Sequence, residues 1–128
     1  MEETYTGTTM AQVLVLGKDW QTRALLRAQL IEEGLDVEAH ESAQEASLDL
    51  AAKELLPELV VADLASSDDP TAEVELLAAW ARHVPVWVIA SHTLILNNTL
   101  KGRGFQMILF RPVDVGELVE QIKQRVEK

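Results

Sequence analysis

Four short apolar runs in this sequence each end on side chains that carry charge or a hydroxyl. Leu59 to Ala62, entered from Pro57, ends on Asp63; Val13 to Leu16 precedes Gly17-Lys18-Asp19; Val86 to Ala90 precedes Ser91-His92; Met107 to Phe110 precedes Arg111-Pro112. In an open parallel α/β sheet, chemistry gathers at the carboxyl ends of the strands, so Lys18, Asp19, Asp63, Ser91 and Arg111 converge although they lie far apart in sequence. Asp63 is the centre of that group. An ammonium from Lys18 and a guanidinium from Arg111 on either side of it would hold its carboxylate ionised without a metal. His40, His83 and His92 stand singly, with no second ligand at metal spacing, and Asp68 and Asp69 are explained by loop solvation and helix capping. The residues therefore yield no metal site and no nucleophile with its base.

The elements that position these side chains follow from apolar periodicity. Ala11 to Leu16 predicts a first strand, and Asp19 caps a helix from about Trp20 to Glu33 that stops at Gly34 and turns Leu26 and Leu30 inward. Leu35 to His40 alternates as an outer strand does, leaving His40 a solvated strand end. Ser42-Ala43-Gln44-Glu45 has capping-box spacing and opens a helix, with Ala43, Ala46, Leu50 and Ala51 on one face, that runs to about Leu55. Pro57 to Asp63 is the central strand. Asp69-Pro70 starts a third helix to about Arg82, on which Trp80 packs beside Val74, Leu77, Ala78 and Ala81. None of the tryptophans requires a cofactor to explain it. Pro85 to Ala90 is strand four, Ser91 to Gly104 contains a short helix, and Phe105 to Phe110 is strand five. Asp114 and Glu117 open a last helix striped with Val115, Leu118, Val119, Ile122 and Val126. Five βα units with right-handed crossovers give a doubly wound, five-stranded parallel sheet of flavodoxin-like α/β type.

Composition narrows the class. A chain of 128 residues fits one core, so residues 11–128 are expected to be one domain behind a disordered leader at 1–10. The formal net charge of -10 opposes nucleic acid and anionic membranes. No apolar run approaches the roughly 20 residues of a membrane span. Cysteine is absent, which removes disulfides and thiolate metal sites, and the acidic start Met1-Glu2-Glu3 lacks a signal peptide's regions, so the expected location is cytoplasmic.

From Ala11 to Val126 the chain resembles the receiver domain of bacterial two-component response regulators. The landmarks are the Pro57 to Asp63 strand, ending where receivers carry their phosphorylated aspartate, the Pro85-Val86 start of strand four, the Gly104 turn, and Arg111-Pro112 where the family has Lys-Pro. The resemblance implies a (βα)5 receiver fold and signalling through a histidine kinase, an output domain or a homodimer. The chain departs from the family at three places. Gly17 and Lys18 replace the acidic pair after strand one, Ala90 the hydroxyl residue ending strand four, and Ile108 the aromatic of strand five. Mg²⁺ prefers near-octahedral oxygen ligands with carboxylates among them, so losing both donors removes its site. Ser91 would have to take over the hydroxyl's place, and Arg111 keeps the cation as a planar fork.

These departures imply an atypical receiver that works by protein contact, is not an enzyme, and needs no cofactor. The alternative is a competent receiver phosphorylated on Asp63 with Mg²⁺ by a histidine kinase or a small phosphodonor. An anion binder at the same lip is a third reading, without a glycine-rich loop to support it. Receivers use the segment after strand four as an output face. Here Leu94, Ile95, Leu96, Leu100 and Ile108 would supply it, as apolar contact surface or as cover for the sheet.

Overall fold

Runs rich in valine, isoleucine and leucine with no polar interruption are strands buried on both faces, and three of the five expected strands form the middle of a single sheet. The computed structural model describes residues 12–47, 56–91 and 100–127. The strands are β1 (Val13–Gly17), β2 (Val37–His40), β3 (Leu59–Asp63), β4 (Val86–Ala90) and β5 (Met107–Phe110), all parallel, in the order β2-β1-β3-β4-β5. Every residue of β1, β3 and β4 is buried. The edge strands β2 and β5 are only half-buried, as their alternating or shorter sequences require. The leader at 1–10, the later part of the second helix at 48–55, and Leu94, Ile95 and Leu96 lie outside the described residues.

Helices cover both faces. Helix α1 (Trp20–Glu32) and the last helix, here α4 (Val115–Glu127), pack on Val13, Val15, Leu59, Val61, Trp87 and Ile89 through Leu26, Leu30, Leu118, Val119 and Ile122. Helix α2, described over 43–47, and α3 (Pro70–Trp80) cover the opposite side through Ala43, Ala46, Val74 and Leu77. This is the doubly wound arrangement the sequence predicts.

The caps are local chemistry read out correctly. Asp19 accepts from the Gln21 amide at 3.2 Å, Asp69 from Ala72 at 3.2 Å, and Asp114 from Glu117 at 3.0 Å. Gly34, just past α1, takes a φ of +89°, the left-handed conformation that glycine adopts without strain. The Ser42 box is modified: Ser42 accepts from the Glu45 amide at 3.1 Å, but Glu45 reaches back to the Glu41 amide at 2.9 Å. A carboxylate from another element, Glu73 of α3, takes the Ala43 amide at 2.9 Å.

Two expectations need correction. His40 is not a solvated strand end; it is half-buried, with Nδ1 3.6 Å from Glu45 and Nε2 3.9 Å from Glu38, because α2 turns back over the end of β2. Leu100 does not belong to an exposed output face. It is buried in the core cluster shared with Val74, Leu77 and Ala90, where Ile108 also packs, since the turn through Gly102 and Gly104 folds this segment against α3. Trp20 is 63% exposed at the start of α1. Trp87 does pack: it is buried, and its Nε1 donates to Gln106 at 2.8 Å.

Candidate functional site

Strand alternation decides which side chains can meet. Side chains two apart share a face, so Gly17 continues the row of Val13 and Val15, Asp63 that of Leu59 and Val61, and Arg111 that of Met107 and Leu109. All three rows face α1 and α4. Ala90 continues Val86 and Val88 on the other face and is fully buried there. Ser91, half-buried one residue beyond β4, has the parity of the site's row instead.

Asp63 is the one polar or charged residue among the buried described residues, 8% exposed, and both of its oxygens are engaged. Oδ1 accepts from the Ala65 amide at 3.0 Å, which starts the short 3-10 turn Leu64–Ser66. Oδ2 accepts from Nη2 of Arg111, the same nitrogen that lies 4.0 Å from Asp19 Oδ2. The guanidinium thus sits between the two carboxylates. Arg111 is placed by its amide, which donates to the Ala90 carbonyl at 3.1 Å; the peptide that follows it, to Pro112, is cis.

Lys18 does not join this group. Its Nζ pairs with Asp68 in the loop after β3, and both side chains are largely exposed. The reason is parity: Lys18 follows Gly17 and points away from the row that holds Asp63, toward the β3–α3 loop. The Asp68 bond and charge hold the lysine's pKa above its ordinary value. The expected three-membered cluster is therefore Arg111 between Asp63 and Asp19.

Asp19 has two roles, closing the first turn of α1 and facing Arg111. Its carboxyl is held below the usual carboxylate range, first by the Thr22 hydroxyl at 2.8 Å, then by the amides of Gln21 and Thr22, with Arg111 contributing and partial burial opposing. A depressed folded pKa means stability that is present above the ordinary carboxylate value and lost as pH falls through the folded one. Asp19→Asn, which keeps a capping oxygen, is expected to melt lower than the native chain at neutral pH, with the gap closing as the pH falls below the usual carboxylate range. A gap independent of pH would show that the charge is idle.

Sequence reasoning missed three contributors. Arg23 donates through Nη1 to the Gly17 carbonyl, and Ser66 Oγ accepts from the Asp19 amide at 3.3 Å, so both loops are tied at the lip. The third is Asp68, which the sequence presents only as loop solvation. Arg23 lies one helical turn past Asp19 and so returns over the end of β1; that spacing is a usable signal for it. Nothing local marks Ser66 or Asp68.

The donor set does not fit Mg²⁺. Gly17 offers no side-chain oxygen, and a Cβ built there would lie 3.1 Å from Asp63 Cβ. Lys18 brings positive charge, and a guanidinium already occupies Asp63 Oδ2. Among the described residues no group of three or more His, Asp or Glu side chains could hold a metal ion.

No protein-family model matches the sequence, and no curated protein matches it. Solved structures do match. The fold is that of response regulator receiver domains. A CheY-like response regulator receiver domain protein from Methanospirillum hungatei aligns at a TM-score of 0.74 with 18% identity, over 93% of this chain and 95% of the other. The receiver domain of NtrX from Brucella abortus aligns at 0.71 with 21% identity, over 91% and 98%. A response regulator receiver domain protein from Clostridium thermocellum aligns at 0.73 with 18% identity, over 91% and 94%. Among the described residues no helix is long and apolar enough to cross a membrane.

Proposed function

We propose that this chain is a receiver-like signalling module of two-component type that acts through protein contact, without Mg²⁺-dependent phosphorylation of Asp63. One observation carries the reading: the carboxylate at the phosphoacceptor position is held on both oxygens by Arg111 and the Ala65 amide, while Gly17 and Lys18 stand where carboxylates would be needed. The lost hydroxyl agrees with it, because Ala90 is sealed into the opposite face. Contact surface is also present. On α1, Trp20, Ala24, Ala28 and Ile31 are exposed at helical spacing, and an apolar stripe on a helix's outer side suits a protein partner. A histidine kinase, an output domain or a second copy are the partner classes the fold suggests, in the cytoplasm.

The test is direct. Incubation with acetyl phosphate and Mg²⁺ is expected to leave the intact mass of the chain unchanged, under conditions that modify a competent receiver. Titrating Mg²⁺ to millimolar levels should likewise produce no saturable change in Trp20 emission. A phosphoryl adduct that Asp63→Asn abolishes would establish the competent-receiver reading in its place.

A further inference from the structure

Beside Asp63, between α1, α4 and the ends of β3 and β4, lies a cavity of about 200 Å³ walled by Leu26, Ile89, Val113 and Leu118, with Asp63 and Arg111 as its charged members. An apolar cavity of about 150 Å³ is enough to take benzene, so this one has room for a ring and a short substituent. Apolar walls with a few convergent polar groups are the ordinary makeup of a small-molecule site.

The polar groups select the head of such a molecule. Each oxygen of Asp63 and Asp19 already accepts a hydrogen bond, from Ala65, Arg111, Gln21 and Thr22. Arg111 is engaged only through Nη2, and its Nη1 and Nε have no partner among the described residues. The charged members of the cavity are thus one carboxylate and one guanidinium already paired with each other, and the guanidinium keeps donors to give. A carboxylate ligand would set a second anion beside Asp63 in a chain of net charge -10. An ammonium would set a second cation beside Arg111 and offer no acceptor to its remaining N–H groups.

We propose that this cavity binds a small neutral molecule, an apolar body about one aromatic ring in size bearing an acceptor oxygen such as a ketone, with that oxygen accepting from Arg111. The site extends the module's role from protein contact to ligand sensing, and it rests on the reading that Asp63 stays unphosphorylated and paired with Arg111.

Acetophenone is a suitable probe, titrated into the full chain and followed by amide NMR. Saturable shifts are expected at Leu26, Ile89 and Leu118, with half-saturation of about a millimolar for so small a ligand. Val113→Trp, which fills the cavity, should abolish them. Arg111→Lys keeps one cation opposite Asp63 but loses the guanidinium's further donors, and should weaken binding about tenfold while the spectrum stays dispersed. Benzoate and benzylamine, of similar size and opposite charge, should bind more weakly than the ketone. Absence of saturable shifts, shifts unchanged in Arg111→Lys, or a preference for either charged probe would overturn the assignment.

Discussion

Replacing Arg111 with alanine is expected to destabilise the fold by about 2 to 3 kcal/mol, and removing Asp63 in the same chain should recover most of that loss. The asymmetry of burial sets the number. The Asp63 side chain is 7% exposed and keeps only the Ala65 amide when the guanidinium goes, whereas Arg111 is 40% exposed and is solvated either way. Stranding a fully buried charge costs about 3 to 5 kcal/mol, and the open lip lowers that. Urea unfolding of Arg111→Ala, Asp63→Ala and the double variant closes the cycle. If Arg111→Ala stays within about 0.5 kcal/mol of the native chain, the pair contributes nothing and Asp63 is held by its surroundings alone.

Leu30→Ala should cost about 3 kcal/mol, a loss typical of a leucine cut back in a packed core. Helix α1 has only two buried residues, Leu26 and Leu30, because its outer side is also apolar and its inward stripe is narrow. Halving that anchorage loosens the helix whose first turn carries Asp19 and Trp20, so the urea midpoint should fall and the accessibility of Trp20 to a quencher should rise together. A loss under about 1 kcal/mol would mean that α1 is held chiefly by its end contacts. Those are the Lys123–Glu33 pair at 2.9 Å to α4 and the Arg23 bond to Gly17.

The sheet is legible in the sequence because β1, β3 and β4 are unbroken apolar runs bounded by proline, glycine or charge, a pattern that few alternatives share. Caps are legible for a similar reason: Asp19, Asp69, Asp114 and Gly34 act on amides or turns within a few residues of themselves. What the sequence conceals is what depends on partners distant along the chain. The Lys18–Asp68 pair spans 50 positions, and no local signal separates it from a Lys18–Asp63 pair of similar span. Strand parity separates them, and it follows from residue order alone once the end of β1 is set at Gly17 in place of Leu16. That one-residue difference also governs how Gly17 and Lys18 divide between the two faces. Leu100 escapes a sequence reading because a leucine after a loop carries no mark of which surface it will meet.

The position of β3 has a consequence for how the site can open. Backbone opening is easiest at sheet margins and approaches the full unfolding free energy at the centre. Asp63 ends the central strand, paired with β1 on one side and β4 on the other, while Arg111 follows the half-buried edge strand β5. The two halves of this ion pair therefore belong to regions expected to open at different free energies. The carboxylate is the stationary member and the guanidinium the one that can leave. A partner that tugs on β5 would uncover Asp63 without shifting it, converting a mechanical pull at the margin into an electrostatic change at the centre.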